Sequence, residues 1–198
     1  MNNILEKNIN NRKIILASKS PRRQELLTNL GLKFETVHND IPEVLPENNN
    51  IEIEKVAEYF ASEKANYYNN IINEDTIIIC ADTIVVKDNA ILHKPKNAED
   101  ARNILNALSN GEHKVITGVC IRTKNKTVSF SSVTKVYFKK LNKEMINYYI
   151  ENYNPYDKAG SYGIQEWIGY VGIEKIEGSF YNVMGLPTSQ LFDELLKI

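Results

Sequence analysis

The chain has 198 residues, of which 42% are hydrophobic and 25% are charged, so it can bury its own core without disulfides or structural metals. Its net charge of −1 argues against a general nucleic-acid-binding protein. No apolar run reaches the roughly 18 residues of a membrane span, and the N-terminus lacks the apolar stretch of a secretory signal.

Mixed strand and helix patterns follow one another along the whole chain. Residues 1–12 are polar and are predicted to form a disordered extension, ahead of a single domain at 13–198. A buried strand is expected at 14–17, after which Ser20 and Pro21 are typical of a helix start and Gly31 of a helix end. Further strands are predicted at 33–37, 76–87, 90–93, 115–123, 127–138 and 171–176, and helices at 53–69, 98–109, 143–151 and 189–196. This alternation indicates an α/β fold with a sheet covered by helices.

The two cysteines, Cys80 and Cys120, both lie inside apolar β-like runs. Free core thiols are therefore favoured over a disulfide, which points to a reducing compartment, and we expect a cytoplasmic protein.

Two arginines lie in the first turn of the first predicted helix. Arg22 and Arg23 do not suit this place electrostatically, because a helix N-terminus already carries partial positive charge. A bound anion would remove the mismatch, since backbone amides, the hydroxyls of Ser18 and Ser20 and two guanidiniums would converge on one phosphate or carboxylate. A solvated basic helix start explains the same residues equally well. The segment has no glycine, which excludes a Walker A loop.

Two charged residues fall where apolar ones are expected. Lys64 lies on the apolar stripe of its predicted helix, so it either extends to the edge or points into a polar cleft. Asp82 interrupts an apolar strand, where a carboxylate must be paired, bind a metal or face a cleft at a strand end. Lys94 puts another cation after a short strand, while Glu43, in an acidic loop, is of a kind that is usually solvated.

A loop at 157–165 combines two glycines with a glutamine. Gly160 and Gly163 permit a tight backbone near a ligand, and Gln165 can both donate and accept, as recognition of a base edge requires. A purely structural glycine loop is the alternative. The histidines lack metal-ligand spacing and neither cysteine has an activating histidine nearby in sequence, so covalent catalysis is not expected.

Short motifs occur in a specific order along the chain. They are Ala-Ser-Lys-Ser-Pro-Arg-Arg at 17–23, Glu-Lys-Ala at 63–65, Ala-Asp-Thr at 81–83, Lys-Pro at 94–95, Thr-Gly-Val at 117–119, Asp-Lys-Ala-Gly at 157–160, Gly-Ile-Gln at 163–165 and Asn-Val-Met-Gly-Leu-Pro at 182–187. Each is weak alone, but the ordered set resembles the Maf family of nucleoside triphosphate pyrophosphatases over roughly residues 14–197. The resemblance implies an elongated α/β fold with a mixed sheet, flanking helices and two lobes around a central cleft, related to inosine triphosphatases.

The resemblance also implies a reaction and a set of site residues. The reaction is hydrolysis of a nucleoside triphosphate to the monophosphate and pyrophosphate, with Mg²⁺ or Mn²⁺. Asp82 would be the catalytic proton acceptor and, with Glu43, a metal ligand. The other expected site residues are Ser18, Arg23, Lys64 and Lys94 for phosphate and Arg22, Thr83 and Gln165 for the dTTP and UTP specificity of one subfamily.

Several points stay open at the level of sequence. Modified pyrimidine triphosphates are further candidate substrates, and a homodimer is compatible with the sequence. The rival hypotheses are a non-catalytic nucleotide-binding regulator of cell division and an inosine or xanthosine triphosphatase. The chain departs from the family pattern where Glu166-Trp167 follows Gln165 in place of the usual glycine, which affects the local shape of the pocket.

Overall fold

The structure is a computed structural model that describes residues 4–9, 12–47 and 50–198. The helices are α1 (Ile4–Asn8), α2 (Pro21–Asn29), α3 (Val56–Tyr67), α4 (Ala98–Leu108), α5 (Lys143–Tyr153), α6 (Trp167–Gly172), α7 (Phe180–Met184) and α8 (Thr188–Leu195). The strands are β1 (Lys13–Ala17), β2 (Phe34–Val37), β3 (Thr76–Lys87), β4 (Ala90–Leu92), β5 (Gly111–Arg122), β6 (Thr127–Phe138) and β7 (Ile173–Glu177).

The described residues form one seven-stranded sheet in the order β2-β1-β3-β5-β6-β7, with β4 paired to β3. Strand β1 runs parallel to both β2 and β3, whereas β3–β4 and β6–β7 are antiparallel. The predicted mixed α/β architecture is therefore confirmed. Asp88 and Asn89, which join β3 to β4, both have positive φ, as a tight hairpin turn requires.

Contacts divide the chain into two compact units. The first comprises residues up to 82, 117–132 and 185–198, and the second comprises residues 83–116 and 133–184. Strands β3, β5 and β6 each contribute residues to both units. Among the residues that the structure describes, no helix combines the length and the hydrophobicity of a membrane span.

Small residues let α3 pack closely on the sheet in the first unit. Ala61 and Ala65 are fully buried in this core. It also contains Ile15, Ala17, Tyr68, Ile78, Cys80 and Cys120. Both cysteines are free, as predicted, and burial raises the pKa of the Cys80 thiol to about 12, which makes it a poor nucleophile.

The polar N-terminus differs from the disordered extension that the sequence suggested. Ile4–Asn8 is helical and packs against α8, with Leu5 and Ile9 buried. Residues 1–3, 10 and 11 of the predicted extension lie outside the described residues.

The C-terminal third contains two short helices that the sequence analysis missed. Helix α6 covers the start of the predicted strand at 171–176, which begins only at Ile173, and α7 precedes the correctly predicted closing helix. Helices of five or six residues show too few turns for a 3.6-residue period to emerge.

An aromatic cluster fills part of the second unit around His113. The imidazole is 2% exposed, stacks on Phe138 and lies 2.7 Å from the Tyr162 hydroxyl through Nε2. Burial, assisted by the positive charge of Lys87, lowers the pKa of His113 to about 3. The folded protein therefore holds this imidazole neutral.

We expect the free energy of unfolding to fall as the pH drops below about 6.5. An unfolded histidine takes up a proton there, whereas folded His113 does not until about pH 3, so the unfolded state binds more protons. The contribution from this one group is about 1.4 kcal/mol per pH unit. Urea unfolding of wild type and His113→Gln between about pH 7 and pH 5 measures it. The variant should show the weaker pH dependence, while substitution of the exposed His93 by Gln should leave it unchanged.

Candidate active site

The N-terminus of α2 is built as the sequence predicted. Ser20 has an extended backbone, and its Oγ accepts a hydrogen bond of 3.4 Å from the Arg23 amide. Pro21 is the first helical residue, and no acidic side chain lies in the first turn. The Ser20 amide in turn donates to Ser18 Oγ at 3.2 Å. The chain thus enters the helix through two serine hydroxyls directed at its own backbone.

Arg23 is held in place from the far end of the chain. Its Nε donates to the Gly185 carbonyl at 2.8 Å, and its Nη1 donates to Ser18 Oγ at 3.3 Å. Gly185 has φ +116°, a conformation that L side chains rarely adopt, which explains the glycine in the motif at 182–187. Arg23 is half-buried with a fixed guanidinium, and Arg22 lies beside it.

One ammonium group bridges two carboxylates in the same unit. Lys64 Nζ donates to Asp82 Oδ1 at 2.5 Å and to Glu43 Oε1 at 2.8 Å. The Asp82 side chain is only 7% exposed and that of Lys64 17%, whereas the Glu43 side chain is 46% exposed. Asp82 lies two residues after Cys80 on β3, so both side chains point toward the face of the sheet that α3 covers.

Arg23, at the start of α2, and Asp82 affect each other's pKa values, and the Glu43 carboxylate affects both. Burial raises the pKa of Asp82, while the positive charges of Lys64 and Arg23 oppose the increase. Burial also lowers the pKa of Arg23, and the carboxylates of Asp82 and Glu43 counteract it. A buried carboxylate with a raised pKa beside fixed cations is typical of a group that accepts protons.

The divalent metal that the family resemblance implies needs oxygen ligands from carboxylates, phosphates and water. Within the described ranges, no group of three or more His, Cys, Asp or Glu side chains could hold a metal ion. Glu43 and Asp82 place two carboxylate oxygens around one cationic group. Mg²⁺ is commonly bound through one or two carboxylates plus waters and substrate phosphates. The two residues therefore fit a metal of that kind arriving with a polyphosphate.

The remaining predicted site residues belong to the second unit. Thr83 directly follows Asp82 on β3, Lys94 is exposed after β4, and Gln165 is half-buried ahead of α6. The Gln165 Oε1 atom is buried and has no hydrogen-bond partner among the described residues. An unsatisfied buried acceptor is costly, so this atom is suited to a donor from a ligand.

Four residues that contact Arg23 or lie beside Gln165 were not assigned a role from the sequence. They are Gly185, whose carbonyl anchors Arg23, and Tyr149, Lys158 and Glu166, which lie next to the Gln165 turn. The buried lysine in the Asp-Lys-Ala-Gly motif and the acidic residue after Gln165 were the available signals.

A fixed guanidinium at a helix start and a buried carboxylate paired with an ammonium are groups that phosphate-binding sites in α/β proteins commonly use. The chain matches the family model described as "Maf-like protein" over residues 13–198. It therefore belongs to the Maf-like protein family, as its ordered motifs suggested.

Curated relatives cover nearly the whole chain. A dTTP/UTP pyrophosphatase of Parabacteroides distasonis is 51% identical over 95% of this chain and 97% of its own length. Proteins of the same name from Phocaeicola vulgatus and Flavobacterium psychrophilum are 50% and 47% identical, covering 96% and 98% of this chain and 98% of each relative. The crystal structure of a Mycobacterium abscessus nucleoside-triphosphatase / dITP/XTP pyrophosphatase is a distant likeness, with 16% identity, a TM-score of 0.40 and coverage of 64% of this chain and 74% of that one.

Proposed function

We propose that this protein hydrolyses dTTP and UTP between the α- and β-phosphates, giving the nucleoside monophosphate and pyrophosphate. The observation that carries the proposal is the buried Asp82 carboxylate, 2.5 Å from Lys64 Nζ and within the field of Arg23. Full-length relatives named for this activity support the choice of reaction and substrate.

Phosphoryl transfer depends on positive charge and on positioning more than on covalent catalysis. The groups around Asp82, namely Arg23 and Lys64, provide both. The Arg23 guanidinium is oriented by the Gly185 carbonyl, so it meets a phosphate oxygen in a fixed direction. Lys64 supplies a second fixed charge, because its ammonium is held between the carboxylates of Asp82 and Glu43. Ser18 helps to orient Arg23.

Asp82 is the proton acceptor in the proposed reaction. Its Oδ1 is engaged by Lys64, so Oδ2 is the atom assigned to take the proton from the water that attacks the α-phosphorus. Glu43 and Asp82 would hold the divalent metal, which when bound neutralises phosphate charge and makes a bound water more acidic. Lys64 keeps the Asp82 carboxylate ionised, because its ammonium favours the charged form.

Gln165 is assigned to recognition of the base. Arg22 and Thr83 are assigned to contacts with the base or with the sugar and phosphates. Uracil and thymine present carbonyl, N–H and carbonyl along one edge, and a glutamine amide can accept from that N–H and donate to one carbonyl. Lys94 is assigned to the polyphosphate. The buried Gln165 Oε1, which has no partner among the described residues, supports a role in accepting from the base.

A nucleotide panel tests the proposed function. UTP, dTTP, CTP and ITP are incubated with Mg²⁺ or Mn²⁺, and pyrophosphate and orthophosphate are quantified separately. We expect pyrophosphate and the monophosphate from UTP and dTTP. Release of the nucleoside diphosphate and orthophosphate would overturn the assigned cleavage. A preference for ITP would favour the hypothesis of an inosine triphosphatase. Nucleotide binding without any product would favour the hypothesis of a non-catalytic regulator.

We expect chelation of divalent cations to abolish pyrophosphate release, and Mg²⁺ or Mn²⁺ to restore it. Two carboxylates at this site suit a small divalent cation with oxygen ligands, and K⁺ has half that charge on a larger ion, so K⁺ should not substitute. Glu43→Gln should raise the Mg²⁺ concentration needed for half-maximal rate, because one charged ligand is lost. Full activity in excess chelator would contradict the assigned metal role.

We expect Gln165→Ala to reduce the ratio of kcat/KM for UTP over CTP. Loss of a matched polar contact to uracil should cost about 1–3 kcal/mol, or roughly 5- to 150-fold in that ratio. Because Glu43 and Asp82 are untouched, the metal requirement should not change. An equal loss with both nucleotides would mean that Gln165 supports the loop and does not recognise the base.

We also propose a cellular location and binding partners for the protein. Two free, buried cysteines suit the reducing cytoplasm, and a net charge of −1 gives no general affinity for nucleic acid. The proposed partner is a nucleoside triphosphate. Size-exclusion chromatography with light scattering would distinguish a monomer from the homodimer that the sequence allows.

A further inference from the structure

We infer that Glu166, together with Tyr149 and Lys158, is a positioning unit that holds the Gln165 turn so that its amide distinguishes uracil from cytosine. This inference rests on the proposed function and deepens it. It assigns a role to the acidic residue that directly follows Gln165 in the sequence. All of these residues lie within the second unit.

A charged and hydrogen-bonded network converges on the Glu166 carboxylate. The Tyr149 hydroxyl donates to Glu166 Oε2, and Lys158 Nζ lies 3.2 Å from Glu166 Oε1. Lys158 is itself buried, and its Nζ also lies 2.8 Å from Asp157 Oδ1. Tyr149 is fully buried. A buried network with its partners satisfied makes one local geometry much more favourable than others.

The same network fixes the backbone on either side of Gln165. The Gly163 amide donates to the Tyr149 hydroxyl at 2.9 Å, and the Glu166 amide donates to the Gly163 carbonyl at 3.0 Å. A Cβ on Gly163 would lie 2.7 Å from Glu166 Cδ, so the carboxylate occupies the space that a larger residue would need. The turn is therefore tied to Glu166 through both its backbone and its side chain.

Helix α6 supports the turn from the other side. The Gly169 amide donates to the Glu166 carbonyl at 2.8 Å. A Cβ on Gly169 would lie 1.8 Å from the Ile164 carbonyl oxygen, so only glycine allows this approach. The residue before Gln165 and the residue after it are thus both in fixed contact with their surroundings.

A fixed turn matters because a glutamine amide is nearly symmetric in its hydrogen-bonding shape. Rotation by half a turn exchanges its acceptor and its donors, so a mobile Gln165 can pair with uracil or with cytosine. Discrimination requires that the amide be presented in one orientation, and the backbone that carries it must be held to achieve this. Glu166 therefore acts on specificity through Gln165 and is a positioning residue.

The test measures equilibrium binding of α,β-methylene UTP and α,β-methylene CTP by calorimetry, so it does not depend on turnover. Wild type should prefer the uracil nucleotide, and Glu166→Gln should reduce the ratio of the two Kd values by about fivefold or more. Tyr149→Phe keeps the ring that stacks on Tyr153 and should shift the ratio in the same direction. Glu151→Gln, at an exposed position on α5, is the matched control and should leave the ratio unchanged.

A double-mutant cycle separates positioning from general destabilisation. In a Gln165→Ala background, Glu166→Gln should change the Kd ratio by less than about twofold, because its effect passes through the missing amide. Thermal unfolding of each variant shows whether it is folded, and Tyr149→Phe carries the test if Glu166→Gln is not.

Three results would overturn the inference: an unchanged ratio in the folded variants, an equal change with and without Gln165, or a wild type that binds the two analogues equally or not at all. Pyrophosphate release from UTP by wild type is measured separately. Its absence would count against the proposed reaction and leaves the binding comparison intact.

Discussion

Asp82→Asn should lower kcat/KM for UTP by at least about 10²–10⁴-fold while leaving the protein folded. Loss of a general base alone has an effect of this size, and weaker metal binding would add to it. Asparagine keeps the size of the side chain and can still accept from Lys64 Nζ, which also retains Glu43 as a partner at 2.8 Å. Because Glu43 remains as the counter-charge of Lys64, the substitution does not leave a buried ammonium unpaired, and the variant should stay folded.

Pyrophosphate release and thermal unfolding measure the two parts of this expectation. Asp193→Asn, an exposed change on α8 of the same unit, is the matched control and should be active and stable. A folded Asp82→Asn protein with near-normal turnover would eliminate Asp82 as the proton acceptor. A lost fold would instead identify the Lys64–Asp82 pair as structural.

Gly118→Ala should be strongly destabilising and should also impair catalysis. A Cβ at Gly118 on β5 would lie 2.1 Å from the Glu58 amide nitrogen and 2.2 Å from the Ala57 carbonyl carbon, both in the backbone of α3. The helix must therefore move. Glu58 resists the movement, because its carboxylate accepts from Ser129 Oγ at 3.0 Å and from Ser131 Oγ at 2.9 Å.

The expected cost is about 3 kcal/mol, at the upper end of the usual range for overpacking. For a chain of this length it corresponds to a fall in Tm of about 6–12 °C. Because α3 carries Lys64, a displacement of about 1 Å should also lower kcat/KM by roughly 10²-fold. Thermal unfolding and pyrophosphate release below the transition measure both effects.

Gly111→Ala is the matched control on the same strand. Its Cβ would lie 2.8 Å from Lys87 Nζ, the flexible end of a long side chain that can move aside. We expect a fall in Tm several times smaller than that of Gly118→Ala. Equal losses from both substitutions would show that the approach of α3 to β5 is not the critical contact.

Most of the secondary structure could be predicted because local rules decide it. The cap at Ser20 and Pro21 and the Asp88-Asn89 turn depend on a few neighbouring residues, and β3 on a β-branched run. The two short helices α6 and α7 could not be predicted, since each is shorter than two full helical periods. The helix at Ile4–Asn8 was missed because the burial of Leu5 depends on packing against α8, from the opposite end of the chain.

The candidate site divides in the same way. Asp82 in an apolar strand and Arg23 in a helix start both conflict with local preference. For Asp82 the conflict already indicated a partner or a cleft, whereas a solvated helix start explained Arg23 equally well. The partners of both residues are visible only in the folded chain. Lys64 meets Asp82 across 18 residues of sequence, and Arg23 meets the Gly185 carbonyl across 162. Hydrogen bonds and ion pairs depend on the distance between atoms in space and not on their separation in sequence. These distances are set by the sheet and by the packing of α3 on it.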